Sequence, residues 1–164
     1  MLTQPDPTGR ATPAHLMLRE VWSMGDLALI DEIVEPTHVY HDPVVTDPGQ
    51  GPEALKTTIE LVRDGIPDLR KVVDDEHVAG DTVFLTYTAS GTHDGPFLGL
   101  EPTSRSVEID GVYIGRVTET DLVRSTDRWD VYGLLNQIGA LPPALAGGYA
   151  PRDRTDTHYP RANS

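Results

Sequence analysis

The sequence has no cysteine and no long apolar run, and both absences exclude classes of protein. Without cysteine there is no disulfide framework and no thiolate nucleophile. No stretch reaches the roughly 18 apolar residues of a membrane-spanning helix, so we expect no membrane span. The N-terminal segment MLTQPDPTGRATPAH also lacks the apolar region of a secretory signal peptide. The expected location is therefore the cytoplasm.

Basic residues are scarce as well. The 13 lysines and arginines face 26 aspartates and glutamates, which gives a formal net charge of −13. A field of this sign repels phosphate backbones and argues against a nucleic-acid partner. The expected ligand is a neutral or weakly acidic small molecule.

The 164 residues are enough for one domain with a sizeable core. Residues 1–12 lack any periodicity and predict a flexible N-terminal arm. Residues 141–164 mix Pro, Gly, Arg and Asp and predict a flexible C-terminal tail. The folded domain is therefore expected over residues 13–140.

Within this domain, helical periodicity comes first and strand periodicity follows. The predicted helices span residues 15–24, 27–34 and 52–62, with an irregular segment at 40–48. The predicted strands span about 69–78, 82–93, 105–117 and 120–130, and a short helix begins near Gly133. Three helices followed by consecutive antiparallel strands predict an α+β fold in which a sheet curves over the helices.

Two polar side chains continue apolar faces of the predicted strands. With a period of two, His93 shares a face with Leu85 and Tyr87, and Asp127 shares a face with Val123 and Ser125. An imidazole and a carboxylate that follow apolar faces are typical of a lined pocket.

Motifs for metals and cofactors are missing from the sequence. His38 and His41 lie three residues apart beside Asp42, but no H-E-x-x-H motif or further His/Cys set accompanies them. There is also no Gly-rich phosphate loop and no nucleophile elbow. We therefore expect neither a metal nor a cofactor.

Several short segments, in this order and spacing, resemble the SnoaL-like polyketide cyclases of the NTF2-like superfamily. The segments are HDP at 41–43, GPEAL at 51–55, IPDL at 66–69, GTHDG at 91–95, PT at 102–103 and GLLNQIG at 133–139. The resemblance implies an NTF2-like (cystatin-like) cone, in which a curved antiparallel sheet packs on three N-terminal helices. It also implies a cofactor-independent enzyme that associates as a homodimer or homotetramer.

The same resemblance suggests which residues act. An acid at the position of Asp127, 14 residues after Tyr113 and six before Gly133, removes a proton from the substrate in these cyclases and later returns one. The neighbouring Asp130 is the rival for this role. His93 matches a pocket histidine of the family and is expected to donate to a substrate carbonyl. Without the resemblance, Asp127 and Asp130 are better explained as solvated strand-end acids, and His93 equally well as a structural residue at a strand end.

Two tyrosines depart from the family pattern. Tyr113 stands where the anthracycline aldol cyclases carry a histidine, and Tyr40 stands roughly where they carry an asparagine. A phenol can donate a hydrogen bond to a developing oxyanion, so both remain catalytic candidates, although either can equally be core. Further candidates for substrate contact are Trp129, Tyr87, His41 and Arg116. Arg116 is the weakest of them, because strand parity places it opposite Tyr113 and away from the presumed cavity.

The sequence leaves three functions open. The first is acid/base aldol ring closure of a hydrophobic, polyketide-type natural-product intermediate. The second is opening of an epoxide, as a cyclase or a hydrolase, by a set of tyrosine, histidine and acid. The third is a non-catalytic NTF2-like module that binds a small molecule.

Overall fold

The computed structural model describes residues 11–47 and 49–146. The helices are α1 (Pro13–Leu16), a π-helical turn that continues it (Met17–Trp22), α2 (Ile30–Ile33), α3 (Gly51–Gly65), α4 (Val131–Gln137) and α5 (Pro143–Ala146). The strands are β1 (Val34–His41), β2 (Arg70–Ala79), β3 (Thr82–Thr92), β4 (Ser106–Val117) and β5 (Leu122–Trp129). Most of the predicted arm and tail lies outside the described residues.

The five strands form one curved, open sheet in the order β1-β5-β4-β3-β2. The last four strands pair antiparallel with their chain neighbours. Helix α3 packs against β1, the π-helical turn against β2, and α1 against β4. The core lies between these helices and the inner face of the sheet. The predicted α+β class is confirmed, and the four predicted strands agree with β2 to β5 within about two residues.

The prediction for residues 27–48 is wrong in two respects. The second helix is only one turn long, α2, and the chain becomes extended at Val34 instead of ending a helix there. Pro36 cannot continue a helix interior, and the β-branched pair Ile33-Val34 favours extended backbone. Tyr40 and His41, predicted to be irregular, are the last residues of β1.

The sheet is consequently not purely antiparallel. Strand β1 pairs parallel with β5, with Val34 opposite Leu122 and Tyr40 opposite Ser125. A parallel pair needs a long crossover connection, and here it spans most of the domain. This pairing carries Tyr40 to the same end of the sheet as Asp127.

No helix of the described residues is long and apolar enough to cross a membrane.

One glycine of β4 makes room for an aromatic ring of the core. Gly111 lies opposite Tyr87 in the β3–β4 ladder. A Cβ atom at Gly111 would lie 2.2 Å from Cζ of Tyr87, far inside van der Waals contact. Tyr87 is almost fully buried, so its ring has little room to move.

We therefore expect Gly111→Ala to lower the free energy of unfolding by about 1–3 kcal/mol, the usual cost of overpacking. Urea unfolding followed by circular dichroism measures this loss. Val112→Ala is the control, because Val112 is the exposed neighbour of Gly111 and its truncation should change stability by no more than about 0.5 kcal/mol. Equal stability of Gly111→Ala and wild type would show that Tyr87 is not fixed by this contact.

Candidate active site

A pocket lies between the inner face of the sheet and the helices. The space between its atoms amounts to about 440 Å³ when the open solvent at its mouth is included. Apolar and aromatic side chains make up most of its wall, as in many small-molecule sites. The lining residues are Trp22, Tyr40, Asp42, Val44, Val62, Ile66, Leu69, Lys71, Tyr87, Ala89, Phe97, Ile109, Trp129 and Leu134.

Asp127 lies beneath the polar end of this pocket and is fully buried. Its Oδ1 accepts a hydrogen bond of 2.6 Å from the Tyr87 hydroxyl. Its Oδ2 lies 2.6 Å from Nζ of Lys71 and 3.3 Å from the Tyr40 hydroxyl. The strand parity inferred from the sequence is therefore correct for Asp127 and Tyr87. Three donors from three other strands, β1, β2 and β3, converge on one carboxylate.

Lys71 is the residue of this cluster that sequence reasoning missed. It lies at the start of β2 between the exposed residues Arg70 and Val72. Its own side chain turns inward, and Nζ lies 4.1 Å from the ring centre of Trp22 and 4.6 Å from that of Tyr87. The signal in the sequence was that Lys71 is one of only two lysines and shares a strand face with Leu69 and Val73 at a period of two. Nothing in the sequence, however, identifies Asp127 as its partner.

A second carboxylate, that of Asp42, lies on the pocket wall. Its Oδ2 accepts hydrogen bonds of 2.9 Å from both the Tyr40 hydroxyl and Nε1 of Trp129. Its Oδ1 accepts from the backbone N–H of Val44 at 2.9 Å. The Tyr40 hydroxyl therefore lies between the carboxylates of Asp42 and Asp127. Since a phenol has one proton, it donates to one of the two at a time.

The tyrosines of the cluster stay protonated. Burial raises the pKa of Tyr40 and that of Tyr87 well above the ordinary value, and the negative charge of Asp127 adds to both shifts. Burial also raises the pKa of Tyr113, while the nearby Ser125 hydroxyl opposes the shift. The phenols of Tyr40 and Tyr87 are therefore hydrogen-bond donors throughout the neutral pH range.

Three of the predicted residues, Tyr40, Tyr87 and Trp129, line the pocket. Tyr113 lies opposite Asp127 in the β4–β5 ladder and is completely buried, but it is not part of the pocket wall. The structure also places His93 outside the wall. His93 is buried at the end of β3, where Nδ1 lies 3.0 Å from the Thr103 hydroxyl.

The structure does not bring His41 and Arg116 to the site. Nε2 of His41 accepts a 2.8 Å hydrogen bond from the exposed Arg124. The exposed Arg116 forms a 2.8 Å ion pair with Asp81 at the β2–β3 turn. Both positions follow from strand parity, since Tyr40 and Tyr113 on the same strands face inward.

Asp130 has a different place from Asp127. It is the N-cap residue of α4, where its Oδ1 accepts a 2.7 Å hydrogen bond from the backbone N–H of Gly133. An aspartate in this position stabilises the first turn of the helix that follows. Among the described residues, no three His, Asp or Glu side chains are grouped as a metal ion would require.

The profile of the SnoaL-like polyketide cyclase family matches residues 12–138. The chain therefore belongs to the SnoaL-like polyketide cyclase family, as the short segments predicted. No protein of curated function shows significant sequence similarity to it.

Solved structures agree with this assignment. A candidate SnoaL-like polyketide cyclase from Jannaschia sp. CCS1 is 23% identical, with a TM-score of 0.72 over 79% of this chain and 91% of its own. IdmH, a candidate polyketide cyclase from Streptomyces antibioticus, is 26% identical, with a TM-score of 0.68 over 79% of this chain and 99% of its own. AclR, a candidate hydroxylase from Streptomyces galilaeus, is 26% identical, with a TM-score of 0.64 over 77% of this chain and 79% of its own. This chain thus shares its fold with these proteins, two of which are described as candidate polyketide cyclases and one as a candidate hydroxylase.

One buried histidine near the site makes stability depend on pH. Nε2 of His38 lies 2.8 Å from the Ser125 hydroxyl, and the side chain is buried. Burial, with a smaller contribution from His41, lowers the pKa of His38 from 6.5 to about 4. The unfolded chain therefore binds a proton at a higher pH than the folded chain does, and stability falls as the pH drops from 6.5 towards 4.

We expect His38→Gln to flatten this dependence, because the variant has no group that titrates at this position. Relative to the variant, the wild type should lose on the order of 2 kcal/mol of unfolding free energy between about pH 7 and pH 5. Urea unfolding at a series of pH values measures the difference. The exposed His77→Gln is the matched control and should keep the slope of the wild type. Parallel curves for His38→Gln and wild type would contradict the assignment.

Proposed function

We propose that the protein is a cofactor-independent cyclase that closes a ring of a polyketide-type intermediate by an intramolecular aldol reaction. The observation that carries this proposal is the position of Asp127. A fully buried carboxylate lies directly behind the polar end of an otherwise apolar pocket, held by two phenols and an ammonium group of the pocket wall. Buried acids of this kind are typical of general acid/base sites. Membership of the SnoaL-like family supports the same reaction.

In the proposed reaction, Asp127 takes a proton from a substrate carbon that lies between two carbonyl groups. The electron pair stays on the substrate as an enolate, whose carbon attacks a second carbonyl of the same molecule. Asp127 then returns the proton to the new alkoxide. Protons between carbonyls are already acidic, and a substrate folded in the pocket supplies the proximity that ring closure needs.

Access to Asp127 depends on Tyr40. The hydroxyl of Tyr40 lies closer to Asp42, at 2.9 Å, than to Asp127, at 3.3 Å. When the Tyr40 hydroxyl donates its hydrogen bond to Asp42, Oδ2 of Asp127 accepts no hydrogen bond from Tyr40 and has a free lone pair. The proton of the substrate can then be accepted there. Tyr87 keeps Oδ1 in place during the transfer.

The proposed substrate is a hydrophobic small molecule, because most of the lining side chains are apolar. We further propose a homodimer or homotetramer in the cytoplasm. Val72, Phe84 and Val112, exposed on the outer face of the sheet, support such an association.

The first functional test compares two aspartates, Asp127 in β5 and Asp130 directly after the end of that strand. We expect Asp127→Asn to remain folded but to lower proton abstraction by about 10²–10⁴-fold. Asp130→Asn should reduce activity much less, because Asp130 caps α4. The assay follows by NMR the exchange of the carbon-bound proton of a 2-alkyl acetoacetate ester in deuterated buffer. Circular dichroism establishes that both variants are folded, and a reversed order of the two effects would contradict the role of Asp127.

The tyrosines provide the second test. We expect Tyr87→Phe to slow the same exchange reaction by roughly tenfold or more, because it removes the hydrogen bond that keeps Oδ1 of Asp127 in place. Tyr40→Phe should slow it less, because it leaves the accepting lone pair of Oδ2 without a competing donor. Tyr113→Phe is the matched control, since its hydroxyl forms no hydrogen bond to Asp127 and Tyr113 does not line the pocket. Thermal unfolding checks that the rings still pack. A larger effect at Tyr113 than at Tyr40 and Tyr87 would favour the role that the sequence predicted for Tyr113.

One observation favours a second candidate function, the opening of an epoxide. A phenol placed between two carboxylates can pass a proton to an epoxide oxygen as it receives one from the carboxyl group that has deprotonated an internal hydroxyl or a water molecule. Such a reaction forms its bond through oxygen and exchanges no carbon-bound proton. A protein that opens epoxides but leaves the acetoacetate proton unexchanged therefore belongs to this class. A protein that binds both kinds of compound and converts neither is a binding module.

A further inference from the structure

Lys71 is the cationic residue of the pocket wall, and its surroundings fix the position of its ammonium group. At the backbone, the N–H of Lys71 donates a 2.8 Å hydrogen bond to the hydroxyl oxygen of Ser23, which comes directly after the π-helical turn. At the other end, Nζ lies 2.6 Å from Asp127 and over the ring faces of Trp22 and Tyr87. Buried lysines are rare, and a buried ion pair contributes little net stability. The pair therefore points to a role in the reaction.

The ammonium group retains hydrogen-bonding capacity on its pocket side. Nζ has three N–H bonds. The described residues supply two oxygen acceptors, Asp127 at 2.6 Å and the Tyr87 hydroxyl at 3.4 Å. One N–H bond is left for an acceptor in the pocket, which Lys71 lines.

Charge conservation shows what this cation can do. Before proton transfer, the negative partner of Lys71 is the carboxylate of Asp127. After transfer, Asp127 is neutral and the negative charge lies on the enolate of the substrate. An enolate oxygen beside Nζ would keep the ammonium group paired, so that no isolated charge forms in an apolar site where one is costly.

We propose that Lys71 is a further catalytic residue, whose ammonium group binds the enolate oxygen of the substrate while Asp127 carries the abstracted proton. This inference rests on the proposed function, because the enolate that Lys71 binds is the one that forms when Asp127 takes the proton of the substrate. The C–H bond breaks, an O–H bond forms on Asp127, and the electron pair moves onto the carbonyl oxygen next to Nζ. Lys71 remains protonated and forms no covalent bond.

The inference also narrows the class of substrate. The carbonyl next to the acidic carbon must reach Nζ of Lys71 while the carbon itself faces Asp127. The carboxylate of Asp42 repels an enolate, so the charged oxygen is expected on the Lys71 side of Tyr40. A 1,3-dicarbonyl compound with an apolar flank meets these conditions, because its enolate is planar and delocalised over two oxygens.

The test measures binding of an enolate and does not depend on turnover. The probe is 1-phenylbutane-1,3-dione, whose enolate absorbs at a longer wavelength than its neutral forms. The pH at which half of the bound probe is enolate is determined by absorbance titration. In wild type we expect this midpoint to lie at least about one pH unit below that of the probe in buffer, a tenfold preference for the enolate.

Four variants define the expected pattern. Lys71→Met should remove the shift, and the double variant Lys71→Met/Asp127→Asn should do the same without leaving a buried unpaired carboxylate. Asp127→Asn should enlarge the shift, because it frees the ammonium group from its counter-ion while it abolishes proton exchange. Lys56→Met is the control and should have the midpoint of the wild type. Lys56 is the only other lysine, and it forms an ion pair with Asp31 on the surface.

Two outcomes would overturn the proposal. One is an unchanged midpoint in the double variant, which would show that Lys71 does not hold the enolate. The other is a covalent adduct on Lys71 after borohydride treatment in the presence of the probe, which would show that the lysine reacts as a nucleophile. Failure of the proposed function is distinguishable from both. In that case Asp127→Asn retains full proton exchange, whatever happens to the midpoint.

Discussion

The buried ion pair between Lys71 and Asp127 is the interaction on which the polar end of the pocket depends. Removing two charges from water costs several kcal/mol per ion, and only short, complete hydrogen bonding compensates for it. Here the carboxylate has three donors, and the ammonium group lies over two aromatic rings. Removal of either partner would leave the other charge buried without its counter-ion, so the positions of both are closely constrained.

This pair ties together parts of the fold that are distant in the chain. Tyr40 comes from β1 at one edge of the sheet and Lys71 from β2 at the other edge. Asp127 comes from β5, which lies beside β1. A flat sheet would separate these edges by the width of several strands. The curvature of the sheet brings their inner faces together over one cavity. The sheet is therefore the framework that converts three separate side chains into one hydrogen-bonded network.

The polar site differs from the one that the resemblance to the SnoaL-like family led us to expect. Tyrosines occupy the positions at which the resemblance led us to expect a histidine and an asparagine. Tyr40 links two carboxylates, while Tyr113 belongs to the core behind Asp127. The predicted pocket histidine, His93, is buried against Thr103 at the strand end. The acid/base groups on the pocket wall are consequently one lysine, two phenols and the carboxylate of Asp42, with Asp127 directly behind them.

The sequence by itself determined the antiparallel strands and the side chains that face inward. A period of two placed Asp127 and Tyr87 inside and Arg116 outside, because neighbouring residues of a strand point to opposite faces. It did not determine β1, whose pairing with β5 joins segments about ninety residues apart and leaves no local signal. It also did not identify Lys71, because periodicity predicts which face of a strand a side chain lies on. It does not predict how deeply the side chain is buried or which residue it pairs with. Only the tertiary structure decided that Lys71 neutralises Asp127, because that contact requires the sheet to curve and bring β2 towards β5.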